Sequence, residues 1–267
     1  MIENTNEINK EAWDTYQEDY FKFQLMARPD YFEFFSHGGV DWQGEEHMID
    51  MIGDVKGLKL LDTCCACDAV QAFSWHNMGA IVTACDITPS AIKIASANAK
   101  KMKLSVDFIV ADMQKLEPIN DNSHDIVFAT YPCYLQNINE ACLNWYRVLK
   151  NGGKLLLNMS HPITDCININ GNELKIKRDY NKSEINKHEV FDGTGLSDRF
   201  GGWSVDLPYV LNFYRISDIL NAMCNAGFII KNVHESYNLV SDDVEDETKN
   251  NIQLKNLPTE FSVLAIK

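Results

Sequence analysis

Hydrophobic and polar positions divide the chain into two textures, helical at the start and alternating afterwards. Residues 8–37 space their aromatic residues at helical intervals (Trp13, Tyr16, Tyr20, Phe21, Phe23, then Tyr31, Phe32, Phe34, Phe35). Pro29 is the predicted break between two helices, because proline fits a first turn and not a helix interior. A loop at 37–44 and a short helix over Glu45–Ile52 follow. From Leu58 on, short β-branched-rich apolar runs at 58–62, 81–85, 106–110, 125–129 and 154–159 predict strands buried on both faces. Helices fall between them. Ser90 is the expected cap of a helix carrying Ala91, Ala95, Ala99 and Met102 on one face. Asn137 with Glu140 reads as a capping-box-like start for the stripe Ile138, Ala141, Cys142, Trp145, Val148 and Leu149. Asn151-Gly152-Gly153 is the expected C-terminal stop of that helix.

The alternation stops after His161. Segment 162–212 holds loop signals around a few short apolar runs, and an irregular stretch of that length is usually a lid or a substrate-side insertion. Ser217 then predicts a helix start, Gly227 its end, Phe228–Val233 a strand and Phe261–Ile266 a last strand, with a solvated acidic loop at 241–251 between them. Strand alternating with helix argues an α/β fold built on a doubly wound, mostly parallel sheet. The predicted organisation is an N-terminal helical cover over 1–54 and a larger domain over 55–267, with 162–212 as its insertion.

The most informative stretch is Leu60–Thr88. An apolar strand ends in Asp62, a turn of small residues follows (Cys64, Cys65, Ala66, Cys67, Asp68), and a second apolar strand ends in Asp86. That is the layout of a mononucleotide-binding βαβ half. The turn lets the backbone approach a ligand, and the second acid takes ribose hydroxyls. Cys64 and Cys67 form a CxxC, yet no second pair follows at ligand spacing, so small residues in a tight turn is the better reading and no metal is expected.

Charge narrows the partners. The net charge of −14, from 38 acids against 24 bases, argues against a nucleic-acid or anionic-membrane partner. The Lys93–Lys103 and Lys175–Lys182 clusters read as solvated faces. No run of 18 apolar residues occurs, and the start MIENTNEINKEAW lacks a leader's apolar stretch. The eight cysteines are expected to be reduced thiols, in keeping with a cytoplasmic protein. Asp68 also carries a sign: facing a pyrophosphate it would repel the ligand, whereas facing a cationic cofactor it is favourable.

Six features stand in order: LLDTCCACDA, the acid of ACDITPSAIKIA, VDFIVADMQKL, HDIVFATYP, the helix ending RVLKNGGKLLL, and SDILNAMCNAGF. In this order and spacing the chain resembles the class I S-adenosylmethionine-dependent methyltransferases over about residues 55–267. The resemblance implies a Rossmann-like seven-stranded sheet whose last strand, Phe261–Ile266, is antiparallel and inserted beside the sixth. It also implies S-adenosylmethionine as cofactor. Asp62 would lie near the cofactor's ammonium, with Cys64, Ala66 and Asp68 at the turn. Asp86 would hold the ribose, Ile87 would pack on the adenine, Asp112 would accept from the adenine amine and Met113 would offer its N–H to the ring. Thr130 and Tyr131 would stand at the methyl end.

Methyl transfer is an in-line displacement in which positioning does much of the work. If a proton must leave the acceptor, His161 is the candidate base, with Tyr131 able to orient the acceptor. Tyr16, Tyr20, His37, Trp203 and Tyr209 are candidate pocket-wall residues for a small organic acceptor. Two alternatives stand beside this: a methyltransferase-like binding protein acting as a sensor or scaffold, and an NAD(P)-dependent oxidoreductase, which the glycine-free turn and Asp68 disfavour.

Overall fold

The protein is described here from a computed structural model, which covers residues 5–42, 45–170, 173–181, 188–191, 207–237 and 256–267. Seven strands form one sheet: β1 (Lys59–Asp62), β2 (Ile81–Asp86), β3 (Asp107–Val110), β4 (His124–Thr130), β5 (Leu149–Ser160), β10 (Ile229–Ser236) and β11 (Glu260–Ile266). Their order is β10-β11-β5-β4-β1-β2-β3. β1 to β5 pair in parallel, and β11 is antiparallel to both β5 and β10, so the last strand is inserted beside the sixth as expected. Two hairpins stand apart from the sheet, β6 (Ile167–Asn170) with β7 (Glu173–Ile176), and β8 (His188–Phe191) with β9 (Tyr209–Asn212).

Helices cover both faces. α4 (Val70–Asn77) and α5 (Pro89–Met102) share a core with α2 (Tyr31–Ser36) and α3 (His47–Ile52), in which Tyr31, Phe35, Met48 and Ile52 meet Leu60, Val82, Phe128 and Leu156. On the other face α6 (Ile138–Val148) and α7 (Ile216–Ala226) bury Trp145, Val148, Ile219 and Met223 against Leu61, Val127, Leu155 and Val263. The N-terminal helices α2 and α3 are therefore part of the main core. α1 (Thr5–Ala27) lies farther out, and its residues Ala12 and Tyr16 pack with Tyr209. α1 and α2 separate at Arg28–Asp30, around the proline, because a proline at the next position pushes Arg28 out of the helical region.

Three helix ends differ from the sequence expectation. Ser90 does not cap α5. Thr88 occupies that position, and Ser90 donates its N–H to Asp14 Oδ1 (2.9 Å) and its hydroxyl to the Asp14 carbonyl (2.9 Å), so the capping oxygen comes from α1. Ser217 does not begin α7, because Arg215 and Asp218 close its first turn, the Arg215 N–H donating to Asp218 Oδ2 (3.1 Å). Asn151-Gly152-Gly153 does not stop α6 either. Leu149 is already extended, and the glycines fall inside β5 as an irregularity in its pairing with β4. Gly152 there takes φ +76°, and a side chain at Gly153 would meet the Lys150 carbonyl at 2.8 Å.

Asn137 does cap α6, its side chain accepting from the N–H groups of Asn139 (3.1 Å) and Glu140 (3.3 Å). Glu140 does not reach back to it. Gln114 takes that role, donating to Glu140 Oε2 (2.7 Å) while its Oε1 accepts from the Asn137 N–H (2.8 Å). Asn137→Ala therefore exposes two helix donors and should cost about 1 kcal/mol, with Tm about 2–4 °C lower by calorimetry.

Candidate active site

The parallel strands end in register. Asp62 sits beside Ala84 and Phe128, Asp86 beside Val110, and Thr130 beside Asn158. Asp62, Asp86 and Thr130 therefore lie along one sheet edge, with Asp112 two residues beyond β3. This edge, outside the carboxyl ends of the strands, is where doubly wound sheets bind ligands.

The turn after β1 has a glycine loop's conformation without glycine. Ala66 takes φ +53° and Ala69 φ +46°, a region costing an L-residue roughly 1–2 kcal/mol. Three anchors hold it: the Cys65 N–H donates to the Cys85 carbonyl (2.9 Å), the Ala66 N–H to Asp86 Oδ2 (3.2 Å), and the Tyr31 hydroxyl to the Asp68 carbonyl. Small side chains keep the turn narrow. Burial pushes the thiols of Cys64, Cys65, Cys67 and Cys85 up, so they stay protonated.

Three acids are buried around this turn. Asp62 is 1% exposed; its Oδ1 accepts from the Cys64 N–H (3.2 Å), and its Oδ2 is buried with no hydrogen-bond partner. Burial pushes its carboxyl up to about 7, with Asp86 and Asp68 adding repulsion. Asp68 is pushed to about 7 by burial too, against a hydrogen bond from the Tyr20 hydroxyl (3.5 Å). Asp86 is raised by burial although its Oδ1 accepts from the Thr88 N–H (2.9 Å) and hydroxyl (2.7 Å). Among the described residues no basic side chain forms an ion pair with any of the three. A buried carboxylate with a bare oxygen and no cation is stabilised by a cationic ligand. A sulfonium with an ammonium fits that donor set, and a pyrophosphate does not.

At the far end, Asp112 accepts from the Gln114 N–H at Oδ1 (2.8 Å) and from the Asn6 amide at Oδ2 (2.8 Å). Ile87 is half-buried at the end of β2, and the Met113 carbonyl is tied to the Trp145 indole N–H (3.0 Å). Thr130 is buried, whereas Tyr131, in the left-handed region at φ +54°, leaves half its surface exposed.

An aromatic wall stands beside Tyr131. Tyr134 lies 6.4 Å from it, and Trp13 makes edge contacts with Tyr134 (5.9 Å), Tyr16 (6.2 Å) and Tyr20 (6.3 Å). The Tyr16 hydroxyl meets the Leu207 backbone, and Tyr209 packs on Tyr16. Of the expected wall, Tyr16, Tyr20 and Tyr209 are thus brought together. His37 is not: it is exposed at the end of α2, its Nδ1 against the Glu33 carbonyl (2.8 Å). Trp203 lies outside the described residues.

His161 does not have the geometry of a base. Its Nδ1 accepts from the Ile163 N–H (3.1 Å) and its Nε2 faces Glu235 Oε1 (2.8 Å). Both nitrogens are engaged in holding the loop after β5, and no lone pair is left to take a proton.

Sequence reasoning missed Trp13 and Tyr134 as wall residues, although Trp13 stood in the aromatic stripe. It also missed Asn158, 4% exposed at the end of β5, where a lone amide closing an apolar strand was the available signal. Asn158 Oδ1 accepts from the Ser262 hydroxyl, and Glu45 and Glu260 lie nearby; burial raises both carboxyls, and Glu45 raises Glu260 further. No sequence pattern links Glu45 to Glu260, because only the antiparallel placement of β11 joins them.

Comparison with known proteins matches part of this chain to methyltransferases. Residues 61–157 match the methyltransferase domain family. Phosphoethanolamine N-methyltransferase 3 of Arabidopsis thaliana is 30% identical over 125 residues, covering 46% of this chain and 25% of that protein. A ubiquinone/menaquinone biosynthesis C-methyltransferase of Cereibacter sphaeroides is 30% identical over 124 residues, 45% of this chain and 49% of that protein. This segment of the chain is similar to a methyltransferase domain. The chain spans about half or less of the length of these curated relatives. The fold of an S-adenosylmethionine dependent methyltransferase from Mesorhizobium loti superimposes on it with TM-score 0.63 at 18% identity, covering 84% of this chain and 98% of that one. Among the described residues no helix is long and apolar enough to cross a membrane.

Proposed function

We propose that this chain transfers a methyl group from S-adenosylmethionine to a small organic acceptor by in-line displacement. The observation that carries the reading is the buried, unpartnered Oδ2 of Asp62 in an acidic turn where no described base forms an ion pair. When bound, the cofactor supplies an electrophilic methyl group on a sulfonium. Asp62 would then accept from the ammonium, and Asp86 Oδ2 would accept from a ribose hydroxyl. Ile87 would cover the adenine, the Met113 N–H would donate to its ring, and Asp112 would accept from its amine.

Thr130 and Tyr131 face the methyl end, and Trp13, Tyr16, Tyr20, Tyr134 and Tyr209 form the acceptor's wall. These rings exclude water and orient the acceptor's nucleophilic atom, which is the main task of the protein in a displacement that needs no covalent help. The relatives named above include an N- and a C-methyltransferase, so the atom methylated stays open between these classes. Eight free thiols support a cytoplasmic setting.

A sensor without turnover is favoured by one observation only, the two alanines at left-handed positions of the turn. Formation of S-adenosylhomocysteine is the deciding assay, run with amine, phenol and quinol acceptors. Product above the acceptor-free rate with one class supports transfer. Cofactor binding with no product from any class favours the sensor.

A further inference from the structure

We propose that Asn6, in the first turn of α1, belongs to the adenine pocket and reads the base together with Asp112. The inference rests on the methyltransferase reading and extends the cofactor site to a segment outside the matched domain, residues 61–157. The Asn6 amide nitrogen donates to Asp112 Oδ2 at 2.8 Å, across 106 residues of sequence. Asp112 Oδ1 accepts from the Gln114 N–H at 2.8 Å, so each oxygen keeps one lone pair. An amine held on the lone pair of Oδ2 stands beside Asn6. Two donors sharing one oxygen at about 2.9 Å, spread by about 110–120°, stand about 5 Å apart.

One of the two Asn6 N–H groups is engaged on Asp112, and no described residue hydrogen-bonds its amide oxygen. An exocyclic amine offers two hydrogens. Asp112 takes one, and the Asn6 oxygen is the acceptor within reach of the other, so the amide and the carboxylate close around the amine.

The contact is held in place from both sides. Thr5, the preceding residue, is fully buried, which anchors this end of α1. One turn on, Asn9 donates to the Val210 carbonyl (2.9 Å) and accepts from the Val210 N–H (2.6 Å). Farther along, Asp14 holds the first turn of α5 through Ser90. Asn6 is therefore presented by a tethered helix and not by a loose end.

The pairing has a consequence for base choice. A hypoxanthine in place of adenine turns the amine into a carbonyl, which would face two acceptors, the Asp112 carboxylate and the Asn6 oxygen. Removing Asn6 relieves half of that conflict.

Calorimetric titration of the full chain with S-adenosylhomocysteine and with its deaminated inosyl analogue tests the inference. Asn6→Ala is expected to weaken the adenosyl ligand about 10-fold, to affect the inosyl ligand much less, and so to narrow the preference between them. The ratio of the two affinities is insensitive to a fraction of misfolded protein. Unchanged or tighter adenosyl binding by Asn6→Ala would overturn the inference and make Asn6 a plug that the base displaces. An unchanged ratio of the two affinities would overturn it too. If the unaltered chain binds neither ligand, the methyltransferase reading fails first and this one falls with it.

Discussion

Asp62→Asn weakens S-adenosylhomocysteine about 10–100-fold, measured by calorimetry at pH 8. The carboxylate has one oxygen on the Cys64 N–H and one with no partner, and it is buried. Asparagine keeps the shape and removes the charge that faces the ligand's ammonium. A hydrogen bond to a charged group contributes about 1.5–3 kcal/mol, which corresponds to that fold-change.

The same substitution acts in the opposite direction on the free protein. Burial raises the Asp62 carboxyl from the ordinary acid range to about 7. An acid whose folded value is raised binds its proton more tightly in the folded state, so ionisation works against folding. The penalty is absent below about pH 4, where both states are protonated, grows between about pH 4 and 7, and is constant above. Ligand-free Asp62→Asn should therefore melt above the unaltered chain at pH 8 and level with it near pH 4. Cofactor affinity of the unaltered chain should rise as pH rises through about 7, where Asp62 and Asp68 ionise, with protons released on binding below that. A variant that binds as tightly as the parent at pH 8 would remove Asp62 from the site.

The second large effect is at Asp86. Its carboxylate already organises the site: Oδ1 accepts twice from Thr88, and Oδ2 accepts from the Ala66 N–H of the turn. With both lone pairs of Oδ1 engaged, one on Oδ2 remains for a ribose hydroxyl. Asp86→Ala loses the ribose contact and frees a turn that already holds two residues at positive φ. One charge-assisted bond at about 1.5–3 kcal/mol, lost together with the order of the turn, places the loss at roughly 10- to 100-fold in affinity. Because the turn also loosens, lost affinity alone does not prove contact with the ribose. The discriminating readout is the 2′-deoxy ligand. The unaltered chain should prefer the ribose form and Asp86→Ala should not; a preference that survives in the variant would assign the ribose to another residue.

What could be read from the sequence follows the length scale of the interaction. Strands β1 to β5 were legible because each carries a short apolar run, half-buried in the edge strand β3 and buried in the others, and Asp62 and Asp86 because each ends such a run. The helix ends at Ser90 and Ser217 were misread for a common reason. Their capping groups are supplied by Asp14, from another helix, and by Asp218, from within the first turn, whereas the local rule looks only for a serine. The glycine pair at 152–153 was read as a helix stop, but its reason is tertiary: the crowded Lys150 carbonyl and the junction of β5 with the ladders beside it. His161 was placed at the correct edge, yet residue type cannot reveal that Glu235 and the Ile163 amide occupy both its nitrogens. Asn6 and the Glu45–Glu260 pair were invisible because the partners lie more than a hundred residues away.

The most direct test of the strand-end site is a thermal melt of the full chain with S-adenosylhomocysteine, with NAD and with no ligand. At a hundred times its dissociation constant a ligand adds about 2.7 kcal/mol, a rise of about 5–10 °C for a chain of this size. The account predicts that rise with S-adenosylhomocysteine and none with NAD, whose pyrophosphate would face Asp62, Asp68 and Asp86. No rise with S-adenosylhomocysteine, or an equal rise with NAD, would contradict it.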